Sequence, residues 1–217
     1  MRLTDRRADR RAMVHRDLRR RDIVEARVLA AMAAVPREPF VPREFQPEAY
    51  ADRPLVIGHG QTISQPYIVA LMTQAAALTR HSRVLEVGGG SGYHAAVLAR
   101  IASVVWSMER IPDLASRARC QLRALGAGNV HVLHGDGTLG YPPAAPYDAI
   151  LVAAAAAAPP SALLDQLADD GRLVMPVGPP DVQDLVVYER TRTGVRKRVL
   201  CACCFVPLVA PARRASR

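Results

Sequence analysis

An apolar run at 84–87 carries Glu86 and breaks into Gly88-Gly89-Gly90-Ser91-Gly92, after which apolar residues resume from His94 to Ala99. A strand, glycine turn and helix in that order suit a nucleotide-like ligand. Glycine takes positive φ without strain and lets a ligand approach without meeting a Cβ, and the helix start offers unpaired N–H groups. A second strand-like run at 104–108 ends in Glu109, 21 residues after Gly88. That is close to the roughly 20-residue spacing at which an acid at the end of the second strand accepts both ribose hydroxyls. A third run at 130–133 leads into Gly135-Asp136-Gly137, another acid at a strand end.

Two cofactor classes fit the turn alone. Counted from Gly88, the dinucleotide pattern needs glycine where the chain has Tyr93, but Gly90-Ser91-Gly92-Tyr93-His94-Ala95 satisfies the looser G-x-G-x-x-A. Glu86 favours S-adenosylmethionine (SAM), because an acid just before the turn attracts a cationic amino group and repels a pyrophosphate.

The elements that must hold these groups follow from periodicity. Strand-like runs at 84–87, 104–108, 130–133, 149–152 and 172–176 alternate with helical patterns at 92–101, 112–125 and 161–168. This alternation predicts an α/β fold with a doubly wound, mostly parallel Rossmann-like sheet and a ligand over the carboxyl ends of its strands. Runs at 184–189 and 195–203, joined by Thr-Arg-Thr-Gly with no helix between, are expected to close one edge antiparallel. An N-terminal helical extension precedes the sheet: 22–34 reads as an amphipathic helix ended by Pro36, and 67–78 as an apolar helix. The proline-rich stretch 36–54 is expected to be ordered, irregular and wrapped on the surface. In the polar, glycine-rich stretch 57–66, the hydroxyls of Thr62 and Ser64 stand where a helix N-cap would sit.

Length and composition suit one domain with a real core, with 217 residues and a 50% hydrophobic fraction. The expected organisation is a basic, flexible segment 1–21, a domain over 22–208 and a basic tail 209–217. Lys+Arg number 29 against 20 Asp+Glu, but ten arginines fall in the first 27 residues and three in the last five, so the +9 charge sits at the termini. Such an arginine-rich start attracts nucleic acid or acidic surfaces. A solvated helix face or frayed end is the commoner case, and no aromatics are interleaved to stack on bases, so no nucleic-acid partner is expected. Cys120 and the cluster Cys201, Cys203 and Cys204 lack C-x-x-C spacing and a nearby histidine, which predicts buried thiols and no metal. Without an apolar run of about 18 residues or a signal-peptide core, the chain is expected to be cytoplasmic with no membrane contact, and a monomer is expected separately from that.

A longer block adds a family. Val35-Pro36-Arg37-Glu38-Pro39-Phe40-Val41-Pro42, Tyr50-Ala51-Asp52-Arg53-Pro54-Leu55 and Gly58-His59-Gly60-Gln61-Thr62-Ile63-Ser64-Gln65-Pro66 form a series that generic methyltransferases lack. Further matches are 84–93, Met108-Glu109-Arg110, Gly135-Asp136-Gly137, Pro146-Tyr147-Asp148-Ala149-Ile150, 163–178 and Phe205-Val206-Pro207-Leu208. With these the chain resembles the protein-L-isoaspartate O-methyltransferase family over 22–208. It departs at Gly89, where the family usually has threonine, at His94, where it usually has glutamine, and in the alanine run 153–158 and the cysteine cluster.

The resemblance implies a single methyltransferase domain that uses SAM to methylate the free carboxylate of L-isoaspartyl (and D-aspartyl) residues in damaged proteins and peptides. Repair then proceeds through a succinimide. It implies Ser64 as the active-site residue, and Thr62, Ile63 and Ser64 with Val206, Pro207 and Leu208 as the peptide cleft. It also implies Glu86, Gly88, Gly90 and Gly92 at the methionine end of the cofactor, Glu109 at the ribose, Arg110 among the cofactor residues, and Asp136 with Gly137 at the adenine edge. Without the resemblance, Ser64 reads as a helix cap, Asp136 as a turn residue and His94 as a helix-surface histidine.

The chemistry asks little of a base. A carboxylate with pKa near 4 is ionised at pH 7, so the enzyme must exclude water and align oxygen, methyl carbon and sulfur, an orientation effect worth roughly 7–11 kcal/mol. A serine hydroxyl can donate to that carboxylate without quenching it as a lysine would. Other readings are a relative that forms an aspartimide in a dedicated peptide with the same site, a nucleic-acid methyltransferase, and a non-catalytic SAM-binding protein. Enzymes acting on exocyclic amines of bases commonly need an aromatic after Pro-Pro, and here Pro159-Pro160 is followed by Ser161. A non-catalytic protein would predict loss of Ser64 or the glycine turn.

Overall fold

The computed structural model describes residues 6–209. Helix α1 (Arg7–Met13) runs into a π-helical turn (Val14–Arg19), and α2 (Ala26–Ala34) follows, with the Glu25 carboxylate accepting from the Arg27 N–H. Two 3-10 turns (Glu38–Phe40 and Arg43–Glu48) lead to β1 (Leu55–Gly58), β2 (Gln61–Ile63) and α3 (Pro66–Ala75). Strand and helix then alternate through β3 (Arg83–Val87), α4 (Tyr93–Ala99), β4 (Val104–Glu109), α5 (Pro112–Ala124), β5 (Val130–His134), β6 (Tyr147–Val152), α6 (Ser161–Asp165) and β7 (Leu167–Val177). Strands β8 (Gln183–Thr191) and β9 (Gly194–Cys203) complete the sheet.

The main sheet has the order β5-β4-β3-β6-β7-β8-β9, parallel through β7 and antiparallel at β8 and β9. Val84 to Val87 of β3 and Ala149 to Val152 of β6 are buried on both faces, which is why these strands read as apolar runs, interrupted in β3 only by Glu86. Winding reverses between β3 and β6, the switch point where the turns after two neighbouring strands diverge and leave a crevice.

The N-terminal part differs from its sequence reading. Residues 7–19, read as part of a flexible start, are helical, and Met13, Val14 and Leu18 join the core cluster that holds Ile23 and Met32. Arginines dominate the composition there, but the apolar residues lie at helical spacing and bury one face. The stretch 36–54 wraps over the surface as short 3-10 turns, with Arg43, Glu44, Pro47 and Glu48 exposed, but it is anchored inward by buried Phe40, Val41, Ala49 and Tyr50 and by fully buried Arg37. The polar, glycine-rich stretch contributes to the β1–β2 hairpin, whose tip Gly58, His59 and Gly60 has positive φ. Ser64 is not a helix cap. The residue before α3 is Gln65, which gives no side-chain cap, and Asp52 instead accepts from the Tyr67 N–H at 3.0 Å. Of the expected basic tail, 210–217 lies outside the described residues, as does 1–5 of the start.

No helix among the described residues is long and apolar enough to cross a membrane, and no His, Cys, Asp or Glu group among them is arranged to hold a metal.

Candidate functional site

Two pockets meet at the switch point. The first is walled by Gly88 and Gly90 of the glycine turn, by Glu109, Arg110 and Gly137, and by Ala153, Ala154, Val206, Pro207 and Leu208. Gly88 and Gly90 have φ of +83° and +52°, and the Gly88 and Gly89 N–H groups both donate to the Met108 carbonyl, at 2.9 and 3.1 Å. Glu109 is held from two sides. Its Oε2 accepts from the Gly90 N–H at 2.8 Å and its Oε1 from the Ile111 N–H at 2.7 Å, which leaves a lone pair on each oxygen for two hydroxyls. At Gly137 a Cβ would lie 2.3 Å from Val87 Cγ1, so this wall requires glycine.

Three residues expected at the cofactor, Asp136, Gly92 and Glu86, do not line this pocket and make their contacts beside it. Asp136 turns its carboxylate onto Thr138, accepting from the N–H at 2.9 Å and the hydroxyl at 2.8 Å, and so caps the 3-10 turn Gly137–Leu139. Gly92, with φ +88°, lets α4 start against α5, where a Cβ would be 3.0 Å from Ala118 Cβ. Glu86 is fully buried, and its Oε2 accepts from the hydroxyl of Ser107, its register partner on β4. Burial pushes the Glu86 carboxyl up to about 7 against the opposing Ser107 bond, and the charge of Glu109 pushes the same way as burial. His94 is no surface residue. Its Nε2 lies 3.0 Å from Thr73 Oγ1, its Nδ1 3.9 Å from Glu86 Oε1, and burial pushes the imidazole down to about 4.

The second pocket, of about 220 Å³, is lined by Pro54, Thr62, Ser64, Gln65, Ile68, Ala202, Cys203, Cys204 and Phe205, and it shares Ala153 and Val206 with the first. Ile63, expected here, alternates inward from β2 into the core. The segment 205–208 forms the partition, so Pro207 and Leu208 fall on the glycine-turn side. It is tied down by Ala155, whose N–H donates to the Val206 carbonyl at 2.8 Å and whose carbonyl accepts from the Leu208 N–H at 2.7 Å. Gln183, 1% exposed, accepts from the Phe205 N–H at 2.7 Å and donates to the Pro179 and Pro180 carbonyls. Cys203 and Cys204 are cleft residues rather than buried core thiols, although burial still pushes the Cys203 thiol up to about 12.

Arg37 is the residue that sequence reasoning missed. Its Nε donates to the Ala49 carbonyl and its NH2 to the Ser64 carbonyl, both at 2.8 Å, and the guanidinium lies 4.8 Å from the centre of the Tyr93 ring. Burial pushes it down to about 10, so it stays charged at neutral pH. Its flanks were the available signal: one arginine between Val35 and the apolar pair Phe40 and Val41. Asp52 acts alongside, accepting from Gln65 Nε2 at 2.7 Å.

Comparison with known proteins agrees across the chain. The family model described as Protein-L-isoaspartate(D-aspartate) O-methyltransferase (PCMT) matches residues 8–213. A protein-L-isoaspartate O-methyltransferase from Methanoculleus marisnigri is 53% identical over 94% of this chain and 92% of its own length, and one from Marinobacter nauticus is 59% identical over 78% and 77%. Among solved structures, a protein-L-isoaspartate O-methyltransferase superposes with a TM-score of 0.84 at 27% identity, covering 92% of this chain and 66% of that one. A beta-aspartate methyltransferase (PCMT) from Plasmodium falciparum, in complex with S-adenosyl-L-homocysteine, superposes with a TM-score of 0.79 at 27% identity, covering 92% and 98%. With nearly its whole length matched by the family model and by relatives more than 50% identical, the chain belongs to the protein-L-isoaspartate O-methyltransferase family.

Proposed function

We propose that this chain methylates the free carboxylate of L-isoaspartyl (and D-aspartyl) residues in damaged proteins and peptides, using SAM, as a cytoplasmic monomer with no nucleic-acid partner. The observation that carries the reading is the pair of adjoining pockets that share Ala153 and Val206 in their walls, with Glu109 and the glycine turn on one side and Ser64 on the other. The first pocket fits the cofactor. Gly88 and Gly90 leave room for a backbone approach, and the two free lone pairs of the Glu109 carboxylate suit a ribose diol. When bound, SAM supplies a methyl carbon on a sulfonium.

The chain's own work is positional. Ser64, presented by the Arg37 bond to its carbonyl, donates its hydroxyl to the substrate carboxylate and aims one oxygen through the partition. Thr62 shapes the same cleft, while Arg110, Pro207 and Leu208 close the cofactor side. Phe205 and Val206 exclude water, so proximity supplies most of the rate. The resulting methyl ester needs no enzyme, because the next backbone nitrogen lies within ring-forming reach and methanol leaves readily. The succinimide then opens partly to normal aspartate.

The test uses methyl-labelled SAM and two peptides that differ only in isoaspartate or aspartate at one position. Base-released labelled methanol from the isoaspartyl peptide alone is expected. Ser64→Ala should lower kcat by about 10- to 150-fold, the worth of one hydrogen bond to a charged group, with SAM affinity unchanged. Transfer to neither peptide while SAM binds would sink the reading.

A further inference from the structure

The two oxygens of buried Glu86 have unequal surroundings. Oε2 accepts from Ser107, whereas Oε1 has no hydrogen-bond partner among the described residues and faces His94 Nδ1 at 3.9 Å. Thr73 decides the imidazole tautomer. Its hydroxyl donates to the Val69 carbonyl at 2.7 Å, and a hydroxyl has one proton, so toward His94 Nε2 it can only accept. Nε2 therefore carries the ring proton, and Nδ1 presents a lone pair to a carboxylate oxygen in a buried site. Two acceptors face to face are unfavourable there unless a proton lies between them.

We propose that Glu86 and His94 hold one proton between them behind the glycine turn, resident on Glu86 in the cofactor-free protein, and that binding of a cationic cofactor drives it out. His94 is a positioning residue, which acts by orienting the Glu86 carboxyl. The charged group facing Glu86 from β4 is Glu109, whose like charge favours the neutral carboxyl. Ser107 from β4 and the Ala95 N–H from α4 favour the ionised form, and Thr73 from α3 faces only the imidazole.

The pair has an unusual linkage. Glu86, raised from 4.5 to about 7, alone would add stability below pH 4.5 that is lost as pH rises through 7. His94, lowered from 6.5 to about 4, alone would add stability above pH 6.5 that is lost as pH falls through 4. Between pH 4.5 and 6.5 the unfolded chain carries one proton on the imidazole and the folded chain one on the carboxyl, so together they give no slope.

Denaturant unfolding of the cofactor-free protein from pH 4.5 to 6.5 tests the pair. Relative to wild type, Glu86→Gln should gain up to about tenfold in folding constant per pH unit of rise, and His94→Gln should lose with rising pH, because each leaves one titrating partner. Gln keeps the size of Glu86 and its bond to Ser107. Parallel curves for all three proteins would overturn the pair.

The coupling rests on the methyl-transfer reading, which supplies the cation across the turn. It is tested by calorimetry of SAM binding at pH 6 in two buffers of different ionisation enthalpy, where the ligand's amino group is already protonated. Close to one proton should leave per SAM bound to wild type, and none from Glu86→Gln. SAM binding without release from wild type overturns the coupling. Absence of SAM binding overturns the functional reading instead, and the unfolding curves still judge the pair.

Discussion

On the glycine-turn side of Ala153 and Val206, the wall comes from three neighbouring strand ends: Gly88 and Gly90 after β3, Glu109 closing β4 and Gly137 after β5. On the peptide side, Ser64 is held from afar. Arg37 reaches its carbonyl across 27 residues, Asp52 reaches Gln65 across 13, and Gln183 pins Phe205 across 22. A parallel sheet delivers its strand ends to one crevice by topology, so the first wall needs little beyond glycines that add no atoms. The second has no such frame and depends on buried polar groups whose partners, once lost, stay unsatisfied. Added volume should therefore harm one side, and deleted hydrogen bonds the other.

The largest effect is expected from Arg37→Leu. The leucine fills much of the space but leaves the Ala49 and Ser64 carbonyls without their donors. Leaving a buried carbonyl without its donor costs about 1–3 kcal/mol, and two of them together cost a large share of the roughly 5–15 kcal/mol that holds a domain folded. Measured by calorimetry below its melting temperature, SAM affinity should stay near wild type while methyl transfer collapses. If affinity falls as far as activity, the two sides are not separable.

Gly137→Ala probes the opposite side and ranks next. Its Cβ would stand 2.3 Å from Val87 Cγ1, and overpacking of that kind costs about 1–3 kcal/mol. The wall must move, so Kd for SAM should rise by about tenfold or more, while the peptide KM at saturating SAM stays constant. A shift in peptide KM alone would place Gly137 on the wrong side.

The same contrast governs what the sequence makes legible. The alternation from β3 onward can be read because strands buried on both faces are largely apolar runs and glycines punctuate their ends. β7 is longer than its apolar part, because Asp169, Asp170 and Gly171 interrupt the run where the pairing with β6 shifts register. Spacing also tells which residues lie near the turn but not which way they face, so it does not reveal that the Glu86 carboxylate turns to Ser107, the Asp136 carboxylate to Thr138, and Gly92 to α5. On the peptide side, Arg37 and Asp52 look like solvated charges in a proline-rich stretch, and nothing local reveals that the carbonyls of Ala49 and Ser64 await a donor. His94 looks like a surface residue until Thr73, 21 positions earlier, supplies the partner that makes its burial tolerable.

The smallest effect divides the peptide side more finely. Asp52 accepts from the Tyr67 N–H and from Gln65 Nε2, and it also pairs with the half-exposed Arg21 at 3.2 Å. Asp52→Ala removes the acceptor for the first turn of α3 and should cost about 1 kcal/mol, the worth of a helix cap. With Gln65 released beside Ser64, kcat should fall a few-fold at unchanged SAM affinity. Asp52→Asn keeps an oxygen for the Tyr67 N–H but loses the charge and puts an amide NH2 where Oδ2 accepted from Gln65 Nε2 and Arg21, contacts near the surface that together contribute about 1 kcal/mol or less to stability. Urea unfolding should therefore rank Asn near wild type and Ala below both. If Asn is as damaging as Ala, Ser64 is held in place by the charge and the Oδ2 contacts to Gln65 and Arg21 rather than by the bond from the Tyr67 N–H.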